Sequence, residues 1–377
     1  MNMADTLAPI MLILVLLFCL AAAITSFAEK QPRSGTLWTV IALLPALLLA
    51  WSLTVGLPFT GYMHAVIFWT TPLFLAVLFV PFRGKLPGYP PERTFRFHEA
   101  HHVFSRRRLK PGTKRYESFY QEHPSWKDPD DLARAKPGLL SPGAHYHHPD
   151  YFAAAAANFA LTDHLHSLCE GTPAAHRPEG DPESRLKFIK SWLASSRVHS
   201  SGVTTLRPGH LYSHRGRGDN YDRPVTNNHT MAIAFTVEMD HRMMQSVPDA
   251  STVLESSDRY LHAARIATSL AGFIRHLGYE ATAHIDGNYE VICPLVAQDA
   301  GLGVIGRMGL LMTPRLGPRV RIAVVTTSMP LPQTPFRPDL TTIDFCNHCH
   351  KCARVCPSSA IPRGRREAYE GICRWKI

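Results

Sequence analysis

Hydrophobic and polar positions divide the chain into three regimes. From residue 8 to residue 82 charge is almost absent. Three stretches there, Pro9 to Ala28, Leu37 to Phe59 and Tyr62 to Phe82, each approach or exceed the roughly 20 apolar residues needed to cross a bilayer. Trp38, Trp51, Tyr62 and Trp69 fall where interfacial aromatics sit. Residues 1–82 are therefore expected to form a membrane anchor of three transmembrane helices. Residues 83–150 are rich in Pro, Gly, Arg and His and read as an extended linker. Beyond them the apolar pattern alternates between helical and strand periods. Tyr151–Leu168 is Ala-rich and helix-favouring, and Glu183–Ser195 places Leu186, Phe188, Ile189, Trp192 and Leu193 at helical spacing. A long helix is expected over Ser257–Leu277, opening near Asp258 and closing on Gly278 as a C-cap. Val198–Leu206, Met231–Val237, Ala281–Ile285 and Val320–Thr326 carry the β-branched composition of strands. Helices and strands alternate, so residues 151–335 are expected to form an α/β (α+β) core, with a further segment at 336–377.

Charge adds orientation and a partner. Lys30 and Arg33 follow the first apolar stretch, and Arg83 and Lys85 follow the third, while the N-terminus and the second loop carry no Lys or Arg. With three spans the two basic loops share a side, which the positive-inside rule assigns to the cytoplasm. The expectation is a multi-pass protein of the cell inner membrane with a cytoplasmic catalytic domain. The formal net charge is +10, which suits either nucleic acid or anionic membrane lipid. The basic residues are scattered, with no aromatic-studded basic strand, so membrane lipid is the favoured partner and nucleic acid is not.

The densest chemistry lies near the C-terminus. Cys346, Cys349, Cys352 and Cys356, the last followed by Pro357, match the C-x2-C-x2-C-x3-C-P run of bacterial ferredoxins. Zinc sites instead divide their ligands into two separated pairs, so a ferredoxin-type 4Fe-4S cluster on these four thiols is the expectation. Two other matches read as decoys. His98-Glu99-Ala100-His101-His102 satisfies the H-E-x-x-H zinc pattern, but it lacks an apolar helical frame and an evident third ligand. Gly301-Leu-Gly303-Val-Ile-Gly306 satisfies G-x-G-x-x-G, yet a helix rather than a strand is expected before it, over 294–300, and no acidic residue appears until Asp339. A solvated, partly helical linker accounts for the first match better than a zinc protease does, and NAD binding is not expected at the second.

Several segments together resemble the corrinoid-dependent reductive dehalogenases. They are the His284-Ile-Asp-Gly-Asn-Tyr segment, the run from Gln298 through Gly301, Gly306 and Gly309 to Pro314, Gly317-Pro-Arg-Val-Arg and Val324-Val-Thr-Thr, followed by the cysteines. Tyr212-Ser-His-Arg-Gly-Arg and Ala234-Phe-Thr-Val-Glu-Met-Asp extend the likeness upstream. Epoxyqueuosine reductases share the Ala-Gly-Leu-Gly loop and the clusters, so a tRNA-modifying reductase is the alternative enzyme. The resemblance implies a nitroreductase-like core holding cobalamin, with Gly301, Leu302, Gly303, Gly306, Arg307, Met308, Gly309, His214 and Arg215 around the cofactor. It implies an organohalide as substrate and a ferredoxin-like or quinol-linked electron donor. It also implies a tyrosine acid, placed at Tyr260, with Arg321 beside it and Asn288 supplying a hydrogen bond. A guanidinium next to a phenol stabilises the phenolate left by proton donation. Tyr260 also fits an ordinary first-turn helix residue, Asn288 a turn residue and Arg321 a surface or phosphate-binding arginine, and Tyr289 is the second candidate acid.

One departure from the family pattern stands out. The family carries two clusters, and no second cysteine run follows here. In the two-cluster pattern Cys356 serves the other cluster, leaving Cys346, Cys349 and Cys352 one thiolate short. The expectation is a truncated product, with closure by Cys356 or Cys373, or completion by a partner, as the other accounts. A non-catalytic electron carrier or inactive remnant is the third functional reading. Cys19, Cys169 and Cys293 read as buried thiols rather than ligands.

Overall fold

The computed structural model describes residues 3–28, 32–54, 65–66, 69, 95–335, 339–369 and 372–375. The chain divides into two compact units, Met1–Lys85 and Leu86–Ile377. In the first, α1 (Met3–Ala28) and α2 (Pro32–Thr54) pack against each other. Leu12 is buried against Leu48 and Leu49, and the Phe18 and Trp38 rings meet edge-on with centroids 5.8 Å apart. Among the described residues two helices are long and apolar enough to cross a membrane, Pro9–Ala28 (mean hydropathy 2.8) and Ser34–Trp51 (1.7). The expected third span, Tyr62–Phe82, lies outside the described residues apart from 65–66 and 69. Two of the three expected spans thus correspond to candidate membrane helices among the described residues.

The second unit opens with structure that the linker reading understated. α3 (Lys114–Glu122) is N-capped by Thr113, whose hydroxyl accepts from the Tyr116 N–H at 3.3 Å, and α4 (Pro124–Arg134) begins on a proline. Tyr116, Phe119 and Tyr120 share one helix face and are buried with Ala100 and Leu109. The Arg106 guanidinium grips Asp130 at 2.7 Å. Aromatic spacing at i, i+3 and i+4 was the available signal, masked by the surrounding charge.

The core follows. α5 (Pro149–His164) leads through a 3-10 turn, Leu165–Leu168, to α6 (Pro182–Ser195), capped by Asp181. β1 (Ser200–Thr205), β2 (Met231–Glu238), β3 (Ala281–His284) and β6 (Val320–Thr327) form one antiparallel sheet in the order β1-β2-β6-β3. Between β2 and β3 runs the long helix α7 (Ala250–His276). After β3 come α8 (Cys293–Asp299) and a small hairpin of β4 (Val304–Ile305) and β5 (Leu311–Met312). α9 (Leu340–Cys349) and α10 (Lys351–Val355) then carry the cysteines, and β7 (Arg366–Tyr369) pairs with β8 (Ile372–Trp375).

Seven consecutive residues of β2, Met231 to Val237, are buried. An antiparallel strand usually alternates because one face meets water, and here both faces are covered. Ile233, Phe235 and Val237 join Ala263, Ala267, Leu270 and Ile274 of α7 in the larger core cluster. Ala232 and Ala234 join Val324 of β6 and Val296 and Ala297 of α8 in the other. Alanines along α7 bring the helix close to the sheet, since small side chains shorten interaxial distances.

α7 begins well before the expected Ser257. Asp249 precedes its first turn, and buried Glu255 accepts from the Asp240 N–H at 2.6 Å while pairing with Arg259 at 3.0 Å. Tertiary contacts therefore support a polar stretch that periodicity did not mark as helix. Tyr260 consequently lies in the third turn, not the first. Gly278 closes the helix as expected, at φ +74°, where a Cβ would fall 2.7 Å from the His176 carbonyl oxygen.

Candidate functional site

Two phenol–guanidinium pairs occupy the region where α7, the start of β6 and the turn after β3 converge. Arg321 stands opposite Val237 in the sheet, and its guanidinium carbon lies over the Tyr260 ring, 4.5 Å from the centroid. One Arg321 Nη donates to Ser256, and its buried Nε has no partner. The Tyr260 hydroxyl makes no hydrogen bond among the described residues, although phenols in a protein interior usually find one. Burial pushes the Tyr260 phenol above its ordinary range, and Arg321 pulls in the opposite direction. In the second pair, Arg217 donates to the Tyr289 hydroxyl and lies 4.8 Å over the same ring. Arg217 is also ion-paired with Glu99 at 2.8 Å. Burial raises the Tyr289 phenol too, against the pull of Arg217. Tyr289 is thus tied down, whereas Tyr260 is free to donate.

Asn288 is not hydrogen-bonded to the Tyr260 pair. Its side-chain oxygen accepts from Arg215 Nη1 at 2.7 Å, and Arg215 is further engaged by Glu290 at 2.9 Å and Glu170 at 3.4 Å. His214 stacks on His98, with centroids 4.9 Å apart and planes 10° from parallel. The sequence reading missed Arg217, Glu99 and Asp286. Arg217 closes the quoted Tyr-Ser-His-Arg-Gly-Arg segment, which was the available signal. Glu99 was taken as part of a solvated linker, yet it is 3% exposed and accepts from the Gly216 N–H at 2.7 Å as well as pairing with Arg217. His98 and His102 each use Nδ1 to cap a neighbouring backbone N–H, at 2.9 and 3.3 Å, so they do not stand one helical turn apart as a zinc pair would.

A polar cavity of about 850 Å³ adjoins this region. Arg108, Asp163, Arg215, Arg217, Asn288 and Tyr289 are among its walls, while Tyr260 and Arg321 lie outside its lining. Its size is at the upper end for small-molecule sites.

The glycine loop forms the β4–β5 hairpin, preceded by α8, so the arrangement of a dinucleotide fingerprint is absent. A Cβ on Gly303 would fall 2.3 Å from the Met312 carbonyl oxygen, and one on Gly306 2.8 Å from Met312 Cγ and 3.6 Å from Cys346 Sγ. These glycines are therefore required by hairpin packing itself. Leu302 is buried in the core, and Gly301 and Gly309 adopt φ +83° and +77°. Arg307, 3% exposed, donates to the carbonyl oxygens of Cys346 (2.9 Å), Pro362 (2.8 Å) and Gly364 (2.7 Å) and lies 4.2 Å over Trp375. Arg307 thus staples the hairpin to the cysteine segment. Met308, Gly301 and Gly309 remain at least partly exposed.

Cys346, Cys349, Cys352 and Cys356 are free and part-exposed. Hydrogen bonding, chiefly from Ser358, lowers the Cys356 thiol to about 7. Four soft donors within one helix-turn-helix suit an iron–sulfur cluster chemically, although no three potential ligands converge at metal-binding distance among the described residues. The Cys373 side chain lies outside the described residues.

Fold and site define a mixed α/β protein built around a phenol held beneath a guanidinium. No family model matches the chain. It is similar to the tetrachloroethene reductive dehalogenase of Sulfurospirillum multivorans, 36% identical over 148 residues, which cover 39% of this chain and 28% of that one. A solved reductive dehalogenase, described as suggesting a mechanism for B12-dependent dehalogenation, matches with TM-score 0.52 and 28% identity, over 59% of this chain and 32% of that one. The epoxyqueuosine reductase of Staphylococcus aureus is 38% identical over only 66 residues, 18% of this chain and 16% of that one. The chain is thus a relative of the reductive dehalogenases, and it spans about a third of the length of those it matches.

Proposed function

We propose that this chain carries the catalytic core of a reductive dehalogenase, an oxidoreductase that replaces the halogen of an organohalide by hydrogen. The observation that carries the reading is Tyr260, whose hydroxyl is unbonded beneath Arg321 in a chain related to such enzymes. Replacing carbon–halogen by carbon–hydrogen consumes two electrons and one proton, so an acid must stand by the substrate carbon. Tyr260 supplies that proton. Arg321 then faces the phenolate and offsets the burial that makes the phenol a reluctant acid. Tyr289, bonded to Arg217, holds the neighbouring wall.

Halide removal and electron delivery would be supplied by a bound cobalamin and a 4Fe-4S cluster. Cys346, Cys349, Cys352 and Cys356 would hold the cluster. Gly301, Met308 and Gly309 on the hairpin, with Arg215 and Asn288 on the cavity wall, would border the corrinoid in a nitroreductase-like core. α1 and α2 would tie the protein to membrane lipid, near a quinol-linked or ferredoxin-like donor. With the third apolar stretch, Tyr62 to Phe82, spanning as well, its active unit would face the cytoplasm.

The test is halide release by the full-length protein, reconstituted anaerobically with iron and corrinoid, compared with Tyr260→Phe and Tyr289→Phe. Tyr260→Phe is expected to lower turnover by about 10²-fold or more while retaining corrinoid, and Tyr289→Phe to lower it less. Turnover unchanged in Tyr260→Phe would refute the assignment.

A further inference from the structure

Arg307 holds a buried positive charge among neutral groups. It is 3% exposed, and its partners among the described residues are the carbonyl oxygens of Cys346, Pro362 and Gly364 and the face of Trp375. A buried charge is costly unless a counter-charge and full hydrogen bonding meet it. Here the hydrogen bonding is incomplete as well, since Nη2 is buried and has no acceptor among the described residues. The staple alone would need only Nε and Nη1.

The unused donor is directed at the cysteine segment. A guanidinium is a planar fork in which Nε–H and one Nη2–H run parallel along the same edge. Arg106 uses that edge to hold both carboxylate oxygens of Asp130, with Nε at 2.7 Å and Nη2 at 3.2 Å. In Arg307 the Nε of this edge donates to the Cys346 carbonyl oxygen at 2.9 Å, so the neighbouring Nη2–H points to the side on which Cys346 lies. Nη1 is occupied by Pro362 at 2.8 Å and Gly364 at 2.7 Å. The Cys346 sulfur itself is close to this loop, for a Cβ on Gly306, the residue before Arg307, would lie 3.6 Å from Cys346 Sγ. An anionic, sulfur-rich acceptor at Cys346 would meet both the unbalanced charge and the unbonded hydrogen.

We propose that Arg307 donates its Nη2–H to a sulfur of the iron–sulfur cluster bound through Cys346 and thereby raises the reduction potential of that cluster, which rests on the reading that the four cysteines hold one. Thiolate ligands leave such a cluster negatively charged, and an added electron makes it more so. A fixed guanidinium therefore stabilises the reduced form more than the oxidised form, and hydrogen bonds to the sulfurs act in the same sense. The electron is supplied by the low-potential reductant, and no bond of Arg307 forms or breaks.

The test uses the full chain, reconstituted anaerobically with iron and sulfide and carrying arginine isotopically labelled at its guanidinium nitrogens. Pulsed EPR of the reduced wild-type cluster should show coupling to a labelled nitrogen, a signature that a purely structural staple would not produce. Arg307→Lys keeps the charge but loses the fork, and should abolish the coupling and lower the midpoint potential in an EPR-monitored redox titration. Arg307→Gln removes the charge too and should lower the potential further. A wild-type cluster without arginine coupling overturns the proposal, whether or not the variants assemble a cluster. Coupling that survives in Arg307→Lys, or a potential unmoved in Arg307→Gln, overturns it equally. Wild-type protein that takes up no iron, or zinc in its place, fails the reading beneath the proposal instead, and the proposal with it.

Discussion

Tyr260 and Tyr289 show how little a residue's type decides and how much its partners do. Both phenols lie next to an arginine and both are raised by burial, but only Tyr289 has its hydroxyl bonded. The resemblance placed Tyr260 and Arg321 together, and the structure puts one over the other. It placed Asn288 there as well, whereas that side chain is held by Arg215. Glu99 and Arg217 were illegible as a pair because their contact is long-range and the surrounding histidines mimicked a zinc motif. His284 offers a test at this scale. Its Nδ1 accepts from the Glu290 N–H at 3.2 Å, so Nε2 carries the hydrogen and donates to Thr326 at 2.8 Å. Burial lowers its pKa to about 3, while the unfolded imidazole titrates near the ordinary value of about 6.5. Between those values the unfolded state binds the extra proton, so this contribution is present above about pH 6.5 and is lost as pH falls towards 3. His229, lowered by burial as well, acts with the same sign. Denaturant titrations across that window should show a loss on the order of a few kcal/mol, and His284→Asn should flatten the dependence even if it is less stable overall. An unchanged slope would remove the neutral buried imidazole from the account.

Elements with a clean apolar period were readable, and those held by tertiary contacts were not. β2 and β6 fall within a residue of expectation because both are β-branched runs bounded by polar residues. The first turns of α7 were missed because Ser251, Thr252 and Ser256 are poor helix signals and no apolar period marks the stretch, where Glu255 is held by Asp240 and Arg259. The glycine motif shows the converse, since its spacing matched a known fingerprint while its glycines serve hairpin packing. Close approach is also tight on β1, where a Cβ on Gly202 would lie 2.1 Å from the Ala300 carbonyl oxygen. Gly202→Ala should therefore destabilise the second unit by about 1–3 kcal/mol, seen as a lower denaturation midpoint. Gly138→Ala, with nothing within 4 Å of the new atom and no left-handed backbone, is the control and should stay within about 0.5 kcal/mol of wild type. Equal midpoints for the two variants would contradict the packing described.

At the scale of the whole molecule, two apolar helices among the described residues precede an α/β unit whose last segment carries four thiols. The Arg307 staple links those thiols to the hairpin, and Ile343 and Ala353 of the same segment are buried beside it. Phe345 and Val355 beside it are 65% and 68% exposed. The cysteine spacing was legible from sequence alone, whereas the staple was not, because an arginine in a glycine loop reads as a ligand contact. The central claim is that this assembly turns electrons and a proton into a carbon–hydrogen bond with loss of halide. The most direct measurement is free halide released from an organohalide by the anaerobically reconstituted full chain, supplied with a low-potential reductant. The account predicts halide in step with hydrogenated product. A preparation shown to hold iron and corrinoid that releases no halide would contradict it.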